Sequence, residues 1–377
     1  PRPQRLAGGA HGAAGRRGRG ARPGEGGGRR VTAATAATPT IGAPVPRSLL
    51  SRLRDGNQSL LPTLVAVALF AGMLIYAELA YGRVFHAGTM SSLLVSFAPT
   101  IILAVGMTIV IVSGGIDLSV GAVVAVTSVA GVMLMNIGLN GWVSIVAMIV
   151  FGALFGLISG VLIQYFNVQP FIATLAMMFL ARGLASILST VPVHAPDDSP
   201  IHLIATDWKL FDGPKVNDLV LTPGFFIAVL VILGAVFFMH RTRMGRTVYA
   251  IGGLESSAKL MGLPVARTRV AIYVISGALA GLAAVVYTAE VGGKAQNVTG
   301  IGWELDAIAA VVIGGTLLTG GAGYVLGSVV GSPVLAALWM IITKDGSIAP
   351  EFLTIIVGGI LLVFVVLQRV LTRRRRD

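Results

Sequence analysis

Residues 241–269 read RTRMGRTVYAIGGLESSAKLMGLPVARTR, and the rest of the chain is organised around them. Apolar segments flank the stretch, 219–239 before it and 270–288 after it, each near the roughly 20 residues that cross a bilayer. Inside it, 255–261 predicts a short helix, with Leu254, Ala258 and Met261 at i, i+4 and i+7 on one apolar face. Gly262 suits the left-handed residue that ends a helix, and Pro264 blocks any continuation. Two turns of helix do not persist alone in water. The segment therefore requires outside support, such as a groove on another protein. The alternative is a solvated basic loop that contains one turn of helix.

Composition agrees with the flanking segments. Of 377 residues, 55% are hydrophobic and 12% charged, and the mean hydropathy is +0.85. Soluble domains carry about 25% charged residues, so the chain is expected to be an all-α polytopic membrane protein. Its apolar runs are continuous rather than alternating, which argues against a barrel. The net charge of +12 is concentrated at the ends: residues 1–30 hold eight Arg and one Glu, residues 373–377 four Arg and one Asp, leaving +2 for 31–372. A nucleic-acid partner is excluded on that distribution. With no cysteine, neither a disulfide nor a thiolate metal site can form.

About ten spans are expected, at roughly 61–80, 92–112, 119–136, 141–163, 170–190, 219–239, 270–288, 305–319, 324–343 and 352–368. Residues 1–45, mostly Gly, Arg, Ala and Pro, are expected to be a disordered basic extension without the apolar run of a secretory signal. Residues 46–60 form an interfacial approach, 61–372 the membrane domain and 373–377 a basic tail. Residues 241–269 carry six Lys and Arg against Glu255, whereas 191–218 carry Asp197, Asp198, Asp207, Asp212 and Asp218 against Lys209 and Lys215. The positive-inside rule then puts the first loop and both termini in the cytoplasm and the second loop outside. Gly152, Gly156 and Gly160 form a small-xxx-small series that lets helices approach closely.

Motifs for chemistry are missing. There is no phosphate-cradling G-x-x-x-x-G-K-[ST], no H-E-x-x-H and no G-x-S-x-G, so no catalytic residue, metal site or cofactor is expected, and the chain is not expected to hydrolyse ATP itself. Two Gly-rich stretches stand out instead, 113–121 (SGGIDLSVG) and 302–321, with a weak echo between Gly114, Gly115 and Gly121 and Gly320, Gly321 and Gly327. Glycines beside carboxylates at membrane depth permit broken helices that line a polar path. Asp117, Ser119, Trp303, Glu304, Asp306 and Thr316 are the candidate pathway residues. The alternative is that the carboxylates sit at helix ends, Asp306 complementing a helix dipole.

Three ordered motifs, SGGIDLSVG at 113–121, GRTVYAIGG at 245–253 and ELDAIAAVVIGGT at 304–316, resemble the permease subunits of sugar-importing ABC transporters, the ribose/arabinose/xylose/galactose group. HRTR at 240–243, KLMG at 259–262 and GGTLLTGG at 314–321 look closest to galactofuranose permeases. The resemblance covers about 61–372. It implies the ABC importer permease fold, a bacterial inner-membrane location, and four partners besides lipid: a cytoplasmic ATPase, a second permease subunit, a periplasmic sugar-binding protein and the sugar. It also implies that the 255–261 helix is the coupling helix, formed by Leu254, Glu255, Ala258, Lys259, Leu260, Met261 and Gly262. Leu254 departs from the family, which often has a helix-capping Asn there. Trp303 is a second departure, suited to stacking on a sugar or anchoring at the interface.

The expected function is the membrane-spanning subunit of an ATP-driven monosaccharide importer, the cargo being a hexose in furanose form. Rival readings are an ABC permease for branched-chain amino acids or nucleosides, a non-transporting scaffold, and a gradient-driven secondary transporter. The last would need an intramembrane ion-coupling site, for which Glu78, Asp117 and Arg182 are the available residues.

Overall fold

The computed structural model describes residues 60–211, 219–346 and 351–373, almost all of them helical or in short connections. The expectations for 1–45, for most of 46–60, for Asp212, Lys215 and Asp218, and for the tail beyond 373 lie outside the described residues. Twelve α-helices follow in order: α1 Leu60–Tyr81, α2 Ala87–Ser96, α3 Ala98–Val112, α4 Val120–Asn136, α5 Gly141–Tyr165, α6 Pro170–Leu188, α7 Pro223–Arg241, α8 Arg243–Leu260, α9 Val265–Glu290, α10 Trp303–Ile313, α11 Val325–Asp345 and α12 Glu351–Arg373. Two small antiparallel pairs join Val193–His194 to Lys294–Ala295 and Trp208–Phe211 to Leu219–Leu221. Helix starts follow local chemistry. The Asn140 side chain accepts from Trp142 N and Thr242 from Gly245 N, and Pro170 and Pro223 take first-turn positions where no N–H is needed.

Every expected span coincides with a helix, but not all are span-length. Among the described residues, six helices (α1, α5, α6, α7, α9 and α11) are long and apolar enough to cross a bilayer, and α2 with α3, bent by 46°, makes a seventh if the pair is one span. Val120–Asn136, with 17 residues, is shorter. The largest correction falls on 305–319. Its helix stops at Ile313 after 11 residues, about 16 Å long at the usual rise. Gly314 and Gly315 follow, the latter with φ +96°, and the chain runs without helix to Tyr324.

Three of the shorter helices, α3, α4 and α10, lie in the interior. All fifteen residues of α3 are buried, as are 307–313 of α10 and 120–129 of α4. Non-helical backbone at such depth is tolerated only where protein surrounds it. Several long helices form the outside: α5 exposes Trp142, Val146, Val150 and Leu154, and α7 exposes Leu230, Leu233 and Phe237, as lipid-facing surfaces do, whereas α9 and α11 are mostly buried. The glycine series works as its spacing predicts. A Cβ on Gly152 would overlap the Gly277 carbonyl, one on Gly156 the Tyr273 carbonyl, and one on Gly160 would lie 2.9 Å from the Val270 Cα, so α5 lies backbone to backbone on α9.

Candidate functional site

At the basic end of the bundle, α8 is two helices in one. Leu254 has extended dihedrals (φ −159°, ψ 105°) and breaks it after Gly253. The first part is held by buried Thr247, Val248 and Ile251. The second runs from Glu255 to Leu260, a short helix of its own beyond the break and close to the expected 255–261. Its end is as expected: Gly262 has φ +72°, with Gly262 N donating to Lys259 O and Leu263 N to Ala258 O.

The expected apolar face is corrected. Ala258 is fully buried, packed with Ile251 and Val265 of its own chain. Leu254, Leu260 and Met261 point outward instead, 61%, 89% and 67% exposed. Glu255 and Lys259 pair with each other at 2.7 Å, and Glu255 also binds Arg269 of α9. Arg269 first, then Lys259, holds the Glu255 carboxyl below the usual carboxylate range. Together these contacts clamp the short helix to α9 and leave three large apolar side chains in the open.

The 113–121 segment enters the bundle as a loop ending in α4. Asp117 is buried at its centre, Oδ1 accepting from Ser119 N (3.0 Å) and Ser119 Oγ (2.6 Å), and Oδ2 from Ser276 Oγ (2.7 Å) near the middle of α9. Tyr273, one turn away on α9, occupies the space that a Cβ on Gly115 would need. One turn beyond Asp117, Gly121 touches the Gly300 carbonyl, and a Cβ there would lie 2.6 Å from Glu304 Oε2. Through this contact the structure brings the two Gly-rich motifs together.

Around Glu304 the loop 291–302 also enters the bundle. Gly302 (φ +85°) turns the chain into α10, placing Glu304 and Asp306 in its first turn, where carboxylates favour the helix dipole. Trp303 meets Tyr287 edge-on with ring centres 5.0 Å apart. Glu304 Oε2 is buried and has no hydrogen-bond partner among the described residues. Thr316 lies apart from this group, buried in the turn after α10. Arg182 of α6 is a site residue whose role sequence reasoning missed: its guanidinium donates to the carbonyls of Asn297 (2.9 Å) and Thr299 (2.5 Å), and Asn297 Nδ2 donates to Ser186 Oγ. A lone cation within an apolar helix was the visible signal; its backbone partners, more than a hundred residues away, were not.

The pattern of the family described as "Branched-chain amino acid transport system / permease component" matches residues 89–366. The fructose import permease protein FruG of Bifidobacterium longum is 51% identical over 314 residues, 83% of this chain and 92% of that protein. The inner membrane ABC transporter permease protein YjfF of Escherichia coli is 37% identical over 83% of this chain and 93% of its own length. The ribose import permease protein RbsC of Escherichia coli is 38% identical over 63% of this chain and 72% of its own.

Proposed function

This chain belongs to the branched-chain amino acid transport system permease family, and we propose that it is the membrane-spanning subunit of an ATP-driven sugar importer. The observation that carries the reading is the trio Leu254, Leu260 and Met261, exposed on a short helix that is itself clamped by Ala258 and the Glu255–Arg269 pair. Apolar side chains in the open at the basic end suit a protein partner. A cytoplasmic ATPase seated there would move the spans when it closes on ATP, so hydrolysis belongs to the partner. A second permease subunit and an extracytoplasmic sugar-binding protein complete the importer, and both termini face the cytoplasm.

The cargo is a hexose. Fructose is favoured by the name of a relative that shares half its residues, and galactofuranose, suggested by the motifs at 240–243, 259–262 and 314–321, is the second candidate. A gradient-driven transporter is disfavoured by how its three candidate residues are used. Glu78 accepts from Val84 N and Phe85 N, Asp117 from Ser119 and Ser276, and Arg182 gives its hydrogen bonds to carbonyls. They share no site.

The test is uptake by cells carrying this chain with its partner ATPase and binding protein, offered labelled fructose, galactofuranose, ribose and leucine. Saturable sugar uptake that stops when the ATPase loses its catalytic glutamate is expected. Uptake of leucine alone, or uptake that persists without the ATPase and collapses with the ion gradient, would contradict the proposal.

A further inference from the structure

Three segments far apart in sequence meet at the foot of the short helix. Gly252, two residues before the break at Leu254, lies against the Val112 carbonyl, where any Cβ would overlap the oxygen. Gly321 N donates to that same oxygen at 2.8 Å. Gly320 packs on Gly114, so that a Cβ would lie 2.8 Å from the Gly114 Cα, and Gly321 packs on Gly253 in the same way at 2.9 Å. Tyr249, one turn earlier on α8, donates its hydroxyl to the Gly323 carbonyl at 2.8 Å. Backbone touches backbone here, with no side chain between. Gly114, Gly320 and Gly321 also have φ near +80° (+82°, +81° and +74°), which side-chain-bearing residues rarely adopt.

The loop that starts at this meeting point is held at its other end as well. Asp117 ties it to Ser276, and Gly121 bears on Gly300 and Glu304, beside the carbonyls that Arg182 holds. A displaced side chain can absorb motion by changing rotamer, but backbones in contact cannot. Nor can the short helix swing freely about Leu254, because Ala258 and the Glu255–Arg269 pair fix it to Ile251, Val265 and α9.

We propose that the junction of Gly114, Gly252, Gly320 and Gly321 is the joint that passes displacement of the 255–260 helix to the 113–121 segment, and through Gly121 to the Gly300–Glu304 contact. Tyr249 is the positioning residue that keeps the joint closed. The proposal rests on the reading that an ATPase moves the short helix.

Because the chain has no cysteine, single cysteines report cleanly. Ser113→Cys and Thr319→Cys place one thiol on each loop of the joint. In vesicles containing the full complex, maleimide labelling is timed with the ATPase nucleotide-free and vanadate-trapped. Trapping is expected to change the rate at both positions. Adding Tyr249→Phe is expected to shrink both changes about fivefold, the population shift that one neutral hydrogen bond supplies, while ATPase co-purification stays the same. Tyr249→Phe carries the test because Gly252→Ala would force the backbones apart outright. A change at one loop only, at neither loop while sugar uptake proceeds, or of equal size with and without the Tyr249 hydroxyl would overturn the joint. A parent complex that takes up no sugar with any ATPase would instead contradict the proposed function.

Discussion

Asp117 and Ser276 share a buried hydrogen bond, the serine Oγ donating to Oδ2 of the carboxylate at 2.7 Å. It joins a non-helical loop to the middle of a long helix, and Ser119 supplies two further donors to the other oxygen. Removing an ion from water costs several kcal/mol unless donors replace the lost hydration, and here three do. Asp117 thus shapes the loop from which α4 starts.

Substitution at Asp117 should therefore separate fold from charge. Asp117→Leu leaves two serine hydroxyls and one N–H without an acceptor, at about 1–3 kcal/mol for each group left buried and unpaired. It is expected to lose both folded protein and transport. Asp117→Asn keeps an acceptor for Ser119 and is expected to fold. Size-exclusion profiles and melting in detergent, read beside uptake, check this; a stable, transporting Asp117→Leu protein would show that the network is dispensable.

Glu304 and Asp306 are different, because neither anchors a loop as Asp117 does. Asp306→Leu and Glu304→Gln are expected to fold and bind the ATPase yet lose most sugar uptake. Normal uptake in both would place the pathway elsewhere.

Arg182 tests the loop that bears on Gly121. Arg182→Met removes two charge-assisted hydrogen bonds, each worth about 1.5–3 kcal/mol, and should lower the melting temperature. Arg182→Lys, a point donor lacking the planar fork, is expected to restore only part of the loss. Equal stability of all three proteins would mean that the Asn297 and Thr299 carbonyls need no such partner.

Much of this was legible in the sequence, and the misses have physical causes. Gly262 and Pro264 marked a helix end correctly because both act through the local backbone. Periodicity placed Ala258 with Leu254 and Met261, but it cannot say that Ile251 and Val265 cover the alanine. The break at Leu254 follows two glycines, the residues least able to hold a helix together. The end of α10 was visible as Gly314 and Gly315, yet the apolar residues beyond them read as a continuing span. The meeting of Val112, Gly252 and Gly321 left only the weak echo between two glycine pairs, since backbone contacts at long range place no demand on side-chain pattern.

At the end of the short helix, Gly262→Val places a β-branched residue at φ +72°, a cost of about 1–2 kcal/mol for the left-handed conformation. The protein is expected to insert normally but to lose sugar-stimulated ATP hydrolysis. Lys259→Glu turns a largely exposed ion pair with Glu255 into a like-charge pair, each change worth about 0–1 kcal/mol, and should weaken stimulation far less. Hydrolysis assays with and without loaded binding protein decide the order; a larger loss in Lys259→Glu would reverse it.

The central claim is that an ATPase drives this chain through the exposed trio on the short helix. The most direct measurement is ATP hydrolysis and sugar uptake by proteoliposomes holding the chain, its ATPase and sugar-loaded binding protein, with Leu260→Asp and Met261→Asp set against the parent. Burial of one such side chain is worth roughly 1.5–3 kcal/mol, so each variant is expected to insert in the membrane, to release the ATPase, and to show neither stimulated hydrolysis nor uptake. Parent-like stimulation and uptake in both variants would contradict the account.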